Sequence, residues 1–234
     1  MSVTPAANSQ WPTGTLLHHL SPSDRRELIS LGTKKWVRPG TVLLRAGDTG
    51  TTAILILRTF VKVSMPTANG HETLLSVRVP GDIVGEISVL NDQPRTATAT
   101  TCGTGLVSVI PSPSLKEFMS ERPAVGAELA GTAADRLRWT NEPRADVGSL
   151  PVVARLARLL SDLAIRHGVR TEQGIEISVM LTQSELASLI GVSVVTAQRA
   201  IKRLRDQGVI ETGSQRFLVT DPHRLELEAA APPR

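Results

Sequence analysis

Length, composition and charge limit what this chain can be. Its 234 residues suffice for one large domain or two smaller ones, and 41% of them are hydrophobic, enough for a real core. Because only 3% are aromatic and none is tyrosine, that core must be mainly valine, leucine, isoleucine and alanine. The net charge of +4 is compatible with a nucleic-acid partner, but it fits a mildly basic protein without one nearly as well.

The single cysteine and the chain start indicate a cellular compartment. Cys102 alone excludes a disulfide within the chain and a cysteine-ligated iron–sulfur cluster held by one chain, and it fits a reducing cytosol. Residues 1–10 lack the basic start and apolar run of a secretory signal. The apolar run at residues 53–57 is too short for a membrane span and is typical of a buried strand. We therefore expect a cytoplasmic protein with no membrane partner.

The first half of the chain predicts a small helical start followed by a β-structure. Residues 1–14 are small, polar and rich in turn formers, so a loose tail is expected there. A helix is predicted to begin after Ser21, whose hydroxyl can cap it, with Asp24 near its positive end. Residues 33–111 alternate short β-branched runs with turn sequences, which predicts a β-sandwich or barrel-like roll with a hairpin at Asn69-Gly70.

A compact loop around Gly85 carries residue types suited to a nucleotide. Gly85 allows the backbone to approach a ligand closely, and Glu86 begins a short helix whose first N–H groups can bind an anion. Nine residues later, Arg95 offers a planar guanidinium to a phosphate and Thr96 adds a hydroxyl. The Glu86 carboxylate, which only accepts, suits a sugar hydroxyl. The predicted ligand-binding residues here are Val84, Gly85, Glu86, Ile87, Ser88, Arg95 and Thr96.

That loop also has a plainer interpretation. Arg95 would then be a surface arginine of a β-hairpin, and Glu86 an ordinary carboxylate at a helix start.

A long helix is predicted to begin at Pro123 and to run to about Asn141, with Pro143 as a break. Small residues recur along it at steps of three and four, and so share one face. The members of this face are Ala130, Ala133, Leu137 and Thr140. It permits close approach of a second helix, and the alternative is packing against the chain's own roll.

Residues 181–204 carry the pattern of a helix-turn-helix. Thr182 and Glu185 form a capping box, Gly191 supplies the turn and Ser193 caps the second helix. Two wing strands are expected around residues 208–211 and 216–219. Arg199 is the best candidate for a bidentate guanine contact, and other polar residues here can contact phosphates. The candidate DNA-binding residues are Thr182, Gln183, Ser193, Val194, Val195, Thr196, Gln198, Arg199 and Lys202. The alternative is a helical hairpin of no special purpose.

With this motif and the loop at residues 80–98, the chain resembles the CRP/FNR family of bacterial transcription regulators, from about Leu16 to Asp221. The resemblance implies an α+β fold: a cyclic-nucleotide-binding β-roll (of the double-stranded β-helix or jelly-roll type), a long dimerisation helix and a C-terminal winged helix-turn-helix. The implied segments are a tail (1–14), the roll (15–122), the dimerisation helix (123–142), a hinge (143–150), the winged helix (151–225) and a second tail (226–234).

The resemblance further implies how the protein works. The expected protein is a homodimer with cAMP as allosteric ligand, and with double-stranded DNA and RNA polymerase as partners. Cyclic GMP stays an alternative, because the Thr96 hydroxyl can serve either purine. Thr140 and Asn141 fall where the family has polar residues that hydrogen-bond the base from both subunits; without the family they are ordinary helix-end polar residues.

Two departures from the family are visible. Val194 and Val195 stand where its best-known members place an arginine and a glutamate that read bases, so the operator should differ or specificity should be weak. The family's glycine turn before the Val-Lys-Val strand has no counterpart in residues 57–60, so that turn must take another form.

The sequence also speaks against other classes of function. It has no Walker loop, nucleophile elbow or zinc pattern, and adjacent His18 and His19 point apart in a helix. We therefore expect neither an enzyme nor a metal site. Two alternatives stay open: a regulator of the same build with another ligand or none, and a ligand-binding module that acts on a protein partner.

Overall fold

The chain forms two compact units, which are described separately. The structure, a computed structural model, describes residues 11–12, 14–66, 72–145, 150–177, 181–213 and 216–230, without the side chains of residues 136–145, 166 and 167. One unit comprises residues 1–72 and 76–136, and the other comprises residues 73–75 and 137–234. The predicted hairpin turn at Asn69-Gly70 lies outside the described residues, as do residues 146–149 of the predicted hinge.

The described part of the N-terminal unit holds two four-stranded sheets. Its strands are β1 (Thr33–Val37), β2 (Val42–Leu44), β3 (Thr52–Ile56), β4 (Val61–Pro66), β5 (Glu72–Arg78), β6 (Ile83–Val84), β7 (Thr98–Thr101) and β8 (Gly105–Pro111). One sheet has the order β1-β8-β3-β6 and the other β2-β7-β4-β5. The helices are α1 (Leu16–His19), α2 (Pro22–Ser30), α3 (Glu86–Asn91), α4 (Ser112–Glu121) and α5 (Pro123–Ala145).

Strand β3 separates two hydrophobic clusters, because successive side chains of a strand point to opposite faces. Ala53 and Leu55 belong to a cluster with the helices, which contribute Leu16, Leu28, Leu115, Phe118, Val125 and Leu129. Ile54 and Ile56 belong to a second cluster, which includes Val61 and Ala99 of the other sheet. The layers are therefore helices, first sheet and second sheet, and the predicted α+β roll is confirmed.

The turn between β3 and β4 needs no glycine of its own. The main-chain nitrogens of Leu57 and Arg58 both donate to the carbonyl oxygen of Leu106, and no residue of this turn has a positive φ. The required glycine is the first residue of β8: a Cβ at Gly105 would overlap the Arg58 carbonyl oxygen. The family's turn glycine is thus replaced by close packing against Gly105.

Helix α5 is longer than the sequence predicted. It runs to Ala145, so the break expected at Pro143 is wrong: the helix ends two residues after it. A proline lacks the N–H donor of one helical hydrogen bond. Because Pro143 lies in the last turn of α5, the loss of this bond disturbs only the end of the helix. Leu129 belongs to the hydrophobic cluster of the roll and Thr132 is buried, whereas Ala130 is exposed. The small-residue face is therefore not covered by the chain's own roll at Ala130.

The C-terminal unit is a small sheet packed with helices. Its helices are α6 (Val152–His167), α7 (Gln183–Leu189), α8 (Val194–Asp206) and α9 (Pro222–Ala229), and its strands are β9 (Gly168–Thr171), β10 (Gly174–Ile177), β11 (Ile210–Gly213) and β12 (Arg216–Val219). The strand order is β11-β12-β10-β9. Helix α9 covers part of the segment expected to be a tail from residue 226. None of the helices, as far as the chain is described, is long and apolar enough to cross a membrane.

Candidate functional site

One cavity of the roll brings together the seven predicted ligand-binding residues of the loop. Its empty volume is about 450 Å³, which includes the open space at its mouth. Besides Val84, Gly85, Glu86, Ile87, Ser88, Arg95 and Thr96, it is lined by Leu44, Val63, Arg78, Ala97 and Ala99. Thr96 and Ile87 are exposed, whereas Glu86, Ser88 and Arg95 are buried.

Arg95 is fixed from both its side chain and its main chain. Its Nη1 donates to the Gly85 carbonyl oxygen at 2.7 Å, and its Nη2 donates to the Thr52 carbonyl oxygen. Its main-chain nitrogen donates to Asp48 O at 2.9 Å, and its carbonyl oxygen accepts from the Gly47 nitrogen at 2.8 Å. The arginine therefore links the loop at residues 47–48, strand β3 and the start of α3.

Burial places this cation in a low-dielectric environment. Burial lowers the pKa of the Arg95 guanidinium, and the carboxylates of Glu86 and Asp48 oppose that shift. An arginine keeps its charge at neutral pH even so. The exposed fractions, 6% for Arg95 and 5% for Glu86, do not fit the interpretation as a surface arginine and an ordinary helix-start carboxylate.

Two glycines make the space that the guanidinium fills. Gly85, the N-cap of α3, has φ +82, and a Cβ there would lie 2.5 Å from Arg95 Nη1. A Cβ at Gly50 would lie 2.6 Å from the Ser88 Cβ and 3.0 Å from Arg95 Cζ. The prediction that Gly85 has a conformation a β-carbon would forbid is confirmed. The role of Gly50 was not predicted.

The five lining residues that sequence reasoning missed lie on or next to strands of the second sheet. Leu44 of β2 pairs with Ala99 of β7, and Ala99 also pairs with Val63 of β4, so these three line one face. Arg78 ends β5 and adds a second cation to the cavity wall. Alternation along each strand was a usable signal, but only the register between strands shows which faces meet.

The charges of the lining suit an anion that also carries a hydroxyl. Two arginines, Arg78 and Arg95, share the cavity with one carboxylate, Glu86. Guanidinium groups recognise phosphates, and a carboxylate accepts from a hydroxyl. Thr140 and Asn141, the remaining predicted ligand-binding residues, lie on α5, and their side chains are outside those that the structure describes.

The helix-turn-helix has the local geometry that the sequence predicted. The Thr182 nitrogen donates to Glu185 Oε2 at 2.7 Å, and the Glu185 nitrogen donates to Thr182 Oγ1 at 3.2 Å, which completes the capping box. Gly191 has φ +65 in the turn, and Ser193 Oγ accepts from the Thr196 nitrogen at 3.3 Å. Two sets of side chains are buried: those of α7 and its C-cap (Leu186, Ala187 and Ile190), and those of α8 (Ala197, Ala200, Ile201 and Leu204).

The outer face of α8 and the start of α7 carry the nine candidate DNA-binding residues. Gln198, Arg199 and Lys202 are exposed, as are Thr182, Gln183, Ser193, Val194 and Val195, while Thr196 is half-buried. Gln198 Nε2 donates to Gln183 Oε1 at 2.8 Å, which ties α8 to α7. Val194 and Val195 lie at the start of α8 with exposed fractions of 38% and 56%. An exposed helix start with basic residues behind it can enter a major groove.

Comparisons with known proteins identify two domain families along the chain. The sequence matches the profile of the cyclic nucleotide-binding domain over residues 34–122 and that of the Crp-like helix-turn-helix domain over residues 154–228. The CRP-like cAMP-activated global transcriptional regulator of Mycobacterium tuberculosis (strain CDC 1551 / Oshkosh) is 30% identical over 190 residues, which cover 81% of this chain and 85% of the relative.

Solved structures share the fold. FixK2 from Bradyrhizobium japonicum aligns with a TM-score of 0.74 at 17% identity, over 86% of this chain and 98% of that one. The c-di-GMP-responsive global regulator CLP of Xanthomonas campestris aligns with a TM-score of 0.71 at 19% identity, over 85% of this chain and 99% of that one.

Within the described residues, no group of three or more histidine, cysteine, aspartate or glutamate side chains could hold a metal ion.

Proposed function

The chain belongs to the CRP/FNR family of transcription regulators, and we propose that it acts as a homodimer whose binding to double-stranded DNA responds to cAMP. Regulators of this family are DNA-binding proteins and not enzymes. The observation that carries the proposal is the buried Arg95 guanidinium in the wall of a cavity that it shares with Glu86 and Ser88. The dimer acts in the cytoplasm and contacts RNA polymerase.

The ligand is held by its phosphate and its ribose. The guanidinium of an arginine has five N–H donors. In Arg95, Nη1 and Nη2 each donate to a main-chain carbonyl oxygen, which fixes the plane of the guanidinium. The remaining N–H donors can bind a phosphate oxygen. Gly85 lets the main chain approach that phosphate. Glu86 accepts from a ribose hydroxyl, and Ser88 and Thr96 add hydroxyls of their own.

Switching requires that the ligand bind one arrangement of the dimer better than another. The exposed Ala130 on α5 supports pairing of this helix with its copy in a partner subunit. Thr140 and Asn141 on the same helix then bond the purine base, so that ligand binding is linked to the helix pair. Ligand binding then changes the orientation of the two recognition helices relative to each other.

DNA is read from the start of α8. Arg199 bonds a guanine, and the residues that contact phosphates position the helix (Thr182, Gln183, Ser193, Thr196 and Lys202). Val194 and Val195 can touch a thymine methyl but cannot hydrogen-bond. Each missing bidentate contact removes roughly 1–3 kcal/mol of discrimination, so the operator differs from the family's usual palindrome.

Calorimetry on the folded full chain tests the ligand. Heat of binding is expected with cAMP, and cyclic GMP and c-di-GMP serve as comparison ligands. Arg95→Ala should abolish the binding. The absence of heat with all three nucleotides would remove the sensing half of the proposal and leave a regulator with a different ligand or none.

A second candidate ligand has one observation in its favour. Arg78 gives the cavity a second cation, and a cyclic dinucleotide such as c-di-GMP has two phosphodiesters. CLP, which shares this fold, is described as a c-di-GMP-responsive regulator. Heat with c-di-GMP and none with cAMP would favour this candidate.

A gel mobility shift on genomic fragments separates a DNA-binding regulator from a module that acts on a protein. We expect a shift with the wild-type chain and its loss with Arg199→Ala. Arg199 is exposed and makes no hydrogen bond or ion pair with other described residues, so its removal should leave the fold intact. A shift that is indifferent to Arg199 would contradict the assigned base contact.

A further inference from the structure

A buried arginine beneath the helix-turn-helix has no part in the function derived so far. Arg155 lies in the first turns of α6, is 7% exposed, and its Nη1 donates to the carbonyl oxygen of Ile190 at 2.8 Å. We infer that Arg155 is a positioning residue for sequence-specific DNA binding, because it fixes the turn from which the recognition helix starts. This inference rests on the proposed DNA-binding function.

The carbonyl that Arg155 contacts lies at the C-terminal end of α7, just before the turn to α8. Ile190 is the C-cap of α7, and the last carbonyls of a helix have no partner within the helix. A cation there also meets the negative end of the helix dipole, and a charge-assisted bond is stronger than a neutral one. The bond is buried at both ends, since Ile190 is 1% exposed. Water therefore cannot easily replace the arginine.

The start of α8 is tied closely to this anchored point. Gly191 turns the chain with φ +65, and its nitrogen donates to Ser188 O at 3.2 Å. The Val192 nitrogen donates to Ala187 O at 3.0 Å, and Ser193 then caps α8. Because only Gly191 and Val192 stand between Ile190 and this cap, a shift of the Ile190 carbonyl moves the exposed N-terminal end of α8, where the base contacts are made.

Packing alone leaves this end of α8 less constrained. The buried side chains Ala197, Ile201 and Leu204 hold the middle and the far end of the helix. Near its start, Val194 and Val195 are exposed and contribute little packing. Arg155 thus adds, through the turn, a fixed point directly ahead of the first turn of α8. Base contacts tolerate small displacements poorly, whereas contacts to phosphates are tolerant of them.

The same helix offers a matched control. Arg158, three residues further along α6, donates through Nε to the Ala229 carbonyl oxygen at 2.9 Å and is exposed. It therefore makes the same kind of contact to the end of another helix, α9, which carries none of the candidate DNA-binding residues. A loss specific to Arg155 cannot be ascribed to removing any helix-capping arginine from α6.

The experiment compares affinity for two duplexes by fluorescence anisotropy, with cAMP present and absent. One duplex is selected by the wild-type chain from a random pool, and the other is its scrambled counterpart. Arg155→Met should weaken binding to the selected duplex by about tenfold or more, while affinity for the scrambled duplex stays within about twofold. Arg158→Met should leave both affinities unchanged. Circular dichroism and a stoichiometric titration with duplex report the folded, binding-competent fraction.

Arg155→Lys keeps the measurement decisive if the methionine variant does not fold. A lysine retains the charge and one bond but lacks the planar fork, so the ratio of the two affinities should fall by about threefold or more, less than for methionine. An unchanged ratio in a folded variant overturns the inference and makes Arg155 merely structural. If the wild-type chain itself discriminates no duplex, the proposed sequence-specific binding fails and the role of Arg155 with it.

Discussion

At the scale of single residues, the guanidinium of Arg95 has two roles: it bonds main-chain carbonyls of the roll, and it lines the cavity. It donates to the carbonyl oxygens of Gly85 and Thr52, and Gly50 and Gly85 leave room for it. Removing the side chain would take away its hydrogen bonds to two main-chain carbonyl oxygens, besides removing the cation from the cavity. Loss of binding in Arg95→Ala alone therefore does not separate recognition from stability.

Arg95→Lys separates the two effects. A lysine keeps the positive charge but cannot serve two carbonyls and a phosphate with one planar fork. We expect cAMP affinity to fall by at least about tenfold, with a loss of about 1–3 kcal/mol in the free energy of unfolding. Calorimetry and urea unfolding measure these quantities, and Arg26→Lys, at an exposed position on α2, should change neither. Wild-type affinity in Arg95→Lys would show that charge alone suffices.

The sequence identified residues of this kind when they lie close together along the chain. Gly85, Glu86 and Arg95 lie within one loop, so their common cavity could be predicted from their types and spacing. Arg155 could not be assigned in this way: in the sequence it is one cation in an apolar-periodic helix, and its partner Ile190 is 35 residues away. Which buried carbonyl a long side chain reaches is decided by packing between elements.

At the scale of elements, the helix starts were predictable and the cavity walls were not. A cap joins residues three apart, and the predicted caps Ser21, Thr182 and Ser193 all accept the expected main-chain bond. The wall formed by Leu44, Val63 and Ala99 depends on the register of strands that are distant in sequence. Chain-local signals carry no information on that register.

The glycine-free turn at residues 57–60 leads to a stability prediction. Gly105→Ala should destabilise the roll by about 1–3 kcal/mol, because its Cβ would overlap the Arg58 carbonyl oxygen and the turn has to move. Urea unfolding measures the change. Gly103→Ala, two residues before it, is the matched control, since its Cβ would meet nothing nearer than Thr59 Oγ1 at 4.0 Å. Equal stability of the two variants would mean that the close packing at Gly105 does not matter.

At the scale of the whole molecule, the order of the two motifs and the start of α5 at Pro123 were predictable, and the end of α5 was not. Each motif is a local pattern, and the matched profiles cover residues 34–122 and 154–228. The end of α5 is less local, because a proline such as Pro143 is tolerated or not according to what the rest of the helix packs against. In the proposed homodimer, a helix continuous from Pro123 to Ala145 would provide a long surface for the partner subunit.

Dimerisation makes a prediction about the shape of the operator. In the proposed homodimer, two symmetry-related recognition helices would read half-sites one helical turn apart, about 10–10.5 base pairs from centre to centre. Selection from a random duplex pool should therefore recover a two-fold symmetric site with this spacing. Its half-site should differ from the family's usual palindrome, because Val194 and Val195 cannot form the hydrogen bonds that an arginine and a glutamate form there.

Changing the distance between the half-sites tests the symmetry directly. Five inserted base pairs turn one half-site by about half a turn to the opposite side of the duplex, where a single dimer cannot reach both. Affinity should then fall to that of an isolated half-site, and a change of one base pair in the outer flank, with the spacing intact, is the control. If the insertion leaves the affinity unchanged, each chain binds its half-site independently, and the coupling of the two helices through α5 cannot be how a ligand controls this protein.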